Sequence, residues 1–61
     1  MLENIKIMVI DDQATMRKII SQLLYQIGKF NIIEAANGIQ ALEILNSSQT
    51  QKIPDVIISD L

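Results

Sequence analysis

The 61-residue chain has no cysteine, no histidine and no tryptophan. Without cysteine there is no disulfide framework, no thiolate-bound zinc and no cysteine nucleophile. Without histidine the usual general base and the commonest metal ligand are gone. Any chemistry must run on carboxylates, hydroxyls, amides or lysine. Aromatics are limited to Tyr25 and Phe30, and proline to Pro54. No apolar run approaches the length needed to span a bilayer, and no apolar stretch near the start leads to a small-residue cleavage site. The expectation is a soluble, cytoplasmic chain with no membrane partner. Charge is sparse as well. Five basic and seven acidic groups leave a net of −2, without the basic cluster of a nucleic-acid binder. No direct nucleic-acid contact is expected.

Hydrophobic residues make up 49% of the chain, too many for a disordered segment. Isoleucine dominates, with 13 copies, as in buried parallel strands. The length allows one domain at most. Burial on this scale is worth on the order of 90 kcal/mol. Ordering the chain costs about as much. Such a fold needs every face covered.

The apolar pattern changes period along the chain. Residues 5–10 (IKIMVI) read as a strand that Asp11 and Asp12 end. Met16, Ile19, Ile20, Leu23, Leu24 and Ile27 then recur at helical spacing, predicting a helix with this stripe in the core. Asp12 is placed as its N-cap or first-turn acid and Gly28 just past its end. Residues 31–35 (NIIEA) read as a second strand and Asn37-Gly38 as a turn. Ile39, Ala41, Leu42, Ile44 and Leu45 mark a second helix of two to three turns. Residues 46–52 are a polar connector, Pro54 closes it, and residues 55–59 (DVIIS) form a third strand before Asp60.

The order β-α-β-α-β argues for a parallel sheet with right-handed crossovers. An apolar first strand favours the central place, giving strand order 2-1-3 with a helix on each face. The chain then reverses direction beside the first strand, and open α/β sheets place their sites in the crevice at that switch point. Three carboxylates stand at strand ends there: Asp11, Asp12 and Asp60. Adjacent strands lie about 4.8 Å apart, so the three would crowd one pocket. Their mutual repulsion is relieved by a hard divalent cation, Mg²⁺ being the natural candidate. One of the carboxylates can then accept a phosphoryl group as an aspartyl phosphate. Read more plainly, the same residues are turn formers and a cap. Arg17, Lys18 and Glu34 are expected to be solvated, and Ser59, one residue from Asp60 and on the opposite face, is expected outside the pocket. No glycine-rich dinucleotide or P-loop motif occurs.

The stretches IMVIDDQATMRKII, EAANGIQALEIL and PDVIISDL, in this order, resemble the first half of the receiver domain of bacterial two-component response regulators, most closely the stand-alone chemotaxis type. The resemblance implies a three-layer flavodoxin-like (CheY-like) parallel sheet, with residues 1–61 as the N-terminal half of the domain. It implies that Asp11 and Asp12 organise Mg²⁺, with Asp60 completing the carboxylate set. Asp60 takes the position of the phospho-acceptor, charged by a sensor histidine kinase and read by a downstream effector protein or domain. Such a domain is a regulatory phospho-acceptor rather than a dedicated enzyme. The family's sheet has the order 2-1-3-4-5. Its remaining phosphate-contacting groups, a hydroxyl after the fourth strand and a lysine after the fifth, have no counterpart in these 61 residues. Phosphotransfer and Mg²⁺ binding by these residues alone are therefore expected to be weak or absent. The third strand is expected to be an open apolar edge through which copies can self-associate. A half-domain that only self-associates or binds a partner, without phosphotransfer, is the alternative.

Overall fold

The computed structural model describes residues 5–47 and 53–59. Five elements follow one another: β1 (Lys6–Ile10), α1 (Ala14–Ile27), β2 (Asn31–Ala35), α2 (Gly38–Ser47) and β3 (Val56–Ser59). Their order and type are those the apolar periods predict. The connector before Pro54 falls largely outside the described residues.

The three strands form one sheet of order β2-β1-β3, parallel throughout. β1 is central because it is apolar on both faces. Met8 and Val9 are fully buried and Ile7 nearly so. The register pairs Ile10 with Ala35 on one side and with Ser59 on the other. All three strand C-termini therefore reach the same edge of the sheet. The ladder runs one bond further, the Asp11 N–H donating to the Ala35 carbonyl at 3.1 Å.

Side chains alternate across a strand, so the sheet has two distinct faces. One carries Met8, Ile10, Ile33 and Ala35, and packs on Ala41, Ile44 and Leu45 of α2. The other carries Glu34, which meets Ser21 of α1. A helix thus lies on each face, as the 2-1-3 order with right-handed crossovers requires.

The helices bury less than their sequences offer. On α1, Ile20 and Leu24 are half-buried while Met16, Ile19, Leu23 and Ile27 are exposed. On α2, Ile39 and Leu42 are exposed. The expectation that the whole α1 stripe is core is thus corrected. Each apolar stripe is wider than the strip of sheet beneath it. Among the described residues, no helix is long and apolar enough to cross a membrane.

Candidate functional site

A cleft of about 420 Å³ lies at the C-terminal edge of the sheet, walled by Ile10, Asp11, Asp12, Ala36, Asn37, Gly38 and Ser59. It sits between the ends of β1 and β3 and the start of α2. This is the crevice at the point where the chain's winding direction switches.

Asp11 follows directly on β1 and is buried, with only 3% of its surface exposed. A buried carboxylate needs donors. The Gln13 N–H supplies one, donating to Asp11 Oδ1 at 2.8 Å. This two-residue loop of an aspartate onto the backbone ahead of it turns the chain from strand into helix. Gln13, not Asp12, is the cap residue of α1, and its side chain makes no capping bond. The reading of Asp12 as N-cap or first-turn acid is therefore corrected. Asp11 does the turning, and Asp12 is left exposed on the cleft wall.

Gly28 is the C-cap of α1, its N–H donating to the Leu24 carbonyl at 3.1 Å, and its backbone is extended. A Cβ there would lie 3.1 Å from the tip of the Phe30 ring, which would have to shift by a few tenths of an ångström to admit it.

The opposite wall is built by the start of α2. Asn37 Oδ1 accepts the Gln40 N–H at 2.8 Å, and Gln40 Oε1 accepts the Ala36 N–H at 2.5 Å. The first bond satisfies a backbone donor that the helix start leaves unpaired, and the second ties the residue before the cap to the first turn. The Asn37-Gly38 turn of the sequence reading is thus a helix start.

The third wall is Ser59. Strand alternation does put it on the face of Met8 and Ile10, but the cleft opens on that α2-covered face. The expectation that Ser59 stays out of the pocket is corrected for this reason. Asp60, the next residue, lies outside the described residues. Among the described residues, no group of three or more acidic, cysteine or histidine side chains comes together. Two carboxylates, Asp11 and Asp12, line the cleft. Their oxygen-only donor set is the kind a hard divalent cation takes.

Arg17, expected to be solvated, is half-buried and engaged, while Glu34 is exposed as expected and serves as its partner. Arg17 Nη1 donates to the main-chain carbonyl of Asp11 at 2.6 Å, and its Nε pairs with Glu34 Oε1 at 3.3 Å. The second Glu34 oxygen accepts the Ser21 hydroxyl at 3.3 Å. Glu34 itself stays exposed, so nothing in the strand NIIEA required a partner for it. Which residue meets it depends on where α1 crosses β2.

The model of the response regulator receiver domain matches residues 7–61. A chemotaxis protein CheY homolog of Campylobacter jejuni is 35% identical over 48 residues, 79% of this chain and 37% of the relative. Chemotaxis protein CheY1 of Helicobacter pylori is 38% identical over 48 residues, 79% of this chain and 39% of the relative. A probable transcriptional regulator, ycf27, of Guillardia theta is 38% identical over 56 residues, 92% of this chain and 20% of the relative. The chain spans less than half the length of these relatives. No solved structure gives a significant match. With the family model matching nearly the whole chain and the strand order of a doubly wound sheet in place, this chain belongs to the response regulator receiver domain family.

Proposed function

We propose that these 61 residues are the N-terminal part of a receiver domain that accepts a phosphoryl group on Asp60. The observation that carries the reading is the cleft. It gathers Asp11, Asp12 and Ser59, the sequence neighbour of Asp60, at the C-terminal edge of a parallel sheet.

In this reading Asp11 and Asp12 hold Mg²⁺, which when bound offsets the negative charge of the incoming phosphoryl group. A carboxylate oxygen of Asp60 forms the new bond to phosphorus as the bond from phosphorus to the donor breaks. The donor is a phosphohistidine of a sensor histidine kinase, and its imidazole nitrogen takes up a proton after leaving. The product is an acyl phosphate, whose formation biases a conformational equilibrium that an effector protein or domain reads. The domain acts as a regulatory phospho-acceptor that at most assists its own phosphorylation and dephosphorylation. The buried Asp11 sets the cleft's geometry, and the exposed Asp12 stays free to meet a cation.

The test is incubation of the chain with Mg²⁺ and a small acyl phosphate, followed by intact mass. The expected result is at most a weak gain of one phosphoryl group, because few groups remain to neutralise it, and Asp60→Asn and chelation of the metal both remove whatever gain occurs. An equal gain in Asp60→Asn overturns the reading, and so does the absence of any gain in a receiver domain that carries these residues together with the remaining phosphate-contacting groups.

A second reading is favoured by β3. Among the described residues nothing pairs with its outer edge, and Val56 and Ile57 are exposed there. Unpaired apolar edges add strands from other chains. The reading is a second copy joined through β3, whether or not phosphotransfer occurs.

A further inference from the structure

Arg17 lies one turn into α1, on the sheet side of the helix, with 19% of its side chain exposed. Its guanidinium bridges three elements. Nη1 holds the carbonyl of Asp11 at the end of β1, Nε holds Glu34 of β2, and the stem belongs to α1. Glu34 is itself fixed from its other oxygen by Ser21, one turn further along α1. A guanidinium is a rigid planar fork, so anchoring Nε aims Nη1. The connection from β1 to α1 consists of Asp11, Asp12 and Gln13 alone. Holding the Asp11 carbonyl restrains the planar peptide between Asp11 and Asp12, which carries the Cα atoms of both residues, while the Gln13 N–H holds the Asp11 carboxylate from the other side of the turn.

We propose that Arg17, anchored by Glu34, is the positioning residue for the two cleft carboxylates. The proposal deepens the reading that Asp11 and Asp12 hold a hard cation and rests on it. Groups that orient metal ligands without touching the metal typically carry about 10- to 100-fold in affinity. A pure charge effect has the opposite sign. Arg17 is a cation beside an acidic cleft, and removing it by charge alone would tighten the binding of another cation.

The test uses Mn²⁺ as the probe, followed by its paramagnetic broadening of the amide signals of the 61-residue chain. Arg17→Gln is expected to weaken Mn²⁺ binding by about tenfold or more. Glu34→Ala should do the same, while Glu34→Gln should bind nearly as wild type. A glutamine keeps an oxygen for Arg17 and offers its NH₂ to the Ser21 hydroxyl, which accepts as well as donates. Arg17→Lys keeps the charge but not the fork and should behave as Arg17→Gln. Tighter binding in Arg17→Gln overturns the proposal in favour of charge, and full rescue by Arg17→Lys overturns it by showing that the planar fork anchored on Glu34 is not what positions the carboxylates.

A metal-free measurement separates this proposal from the cation reading beneath it. Exchange of the Gln13 amide hydrogen, which reports the Asp11 turn, should speed up about tenfold in Arg17→Gln relative to the Val9 amide of the same variant. The Val9 reference removes any global loss of stability, and Glu34→Gln should again leave the ratio unchanged. If the wild type fails to bind Mn²⁺, the cation reading falls and the exchange ratio alone decides the clamp. An unchanged ratio in Arg17→Gln and Glu34→Ala overturns it.

Discussion

Two aspartates that are neighbours in sequence live in different surroundings. Asp11 is buried and tied to the Gln13 amide, while Asp12 is exposed and caps nothing. Asp12→Asn should therefore leave stability within about 0.5 kcal/mol of wild type in a urea titration. The same substitution should lower Mn²⁺ affinity. Asp11→Ala removes the acceptor of the Gln13 amide and should destabilise the chain by about 1 kcal/mol as well as weaken the cation. Across the cleft, Asn37 works as a cap, and Asn37→Ala should cost about 1 kcal/mol. The carboxylates were legible as a pair because strand ends are visible in the apolar pattern. Their division of labour was not, since it depends on which of them the backbone bends over. The Arg17 and Glu34 pair was illegible for a related reason: 17 residues separate them in sequence and only the helix crossing joins them.

The central strand bears most of the packing. Met8 and Val9 are fully buried, and Met8 is the hub of the cluster with Ala35 and Ala41. Met8→Ala should cost about 2 to 5 kcal/mol. In a chain whose burial and ordering terms nearly cancel, that loss should abolish the helical circular dichroism signal at 25 °C. Ile39→Ala and Leu42→Ala, on the exposed side of α2, should cost less than half as much in the same assay, because little of either side chain leaves water. Element identity and order were readable because the period of the pattern shifts between strands and helices. Helix burial was over-read. Periodicity reports that a side of a helix is apolar, and only the packed structure reports how much of that side has something against it.

At the scale of the whole molecule, apolar surface stays in water. A second opening of about 620 Å³ between α2 and β3 is lined by Met8, Ile10, Leu42, Leu45 and Ile57, among others. Ile57 and Val56 lie about half exposed on the edge strand. Joining two copies through β3 would cover part of this surface and pair the open backbone edge. Ile57→Lys should shift the chain toward monomer in sedimentation velocity, since a charge on an edge strand opposes strand addition. A wild-type chain that stays monomeric up to millimolar concentration with a cooperative unfolding transition would rule out the self-associating reading.

The amino-acid order alone determined the alternation of strands and helices, the central place of the first strand and the reach of its aspartates toward the crevice. Each of these follows from local apolar period and from the few legal ways to wind a parallel sheet. Only the tertiary structure decided that Asp11 turns the chain and Asp12 does not, that Ser59 walls the cleft, that Arg17 bridges three elements, and that much of each helix's apolar stripe remains in water. Those features depend on distances between residues far apart in sequence. Such distances are set when helix meets sheet, and no local pattern of side chains encodes them by itself.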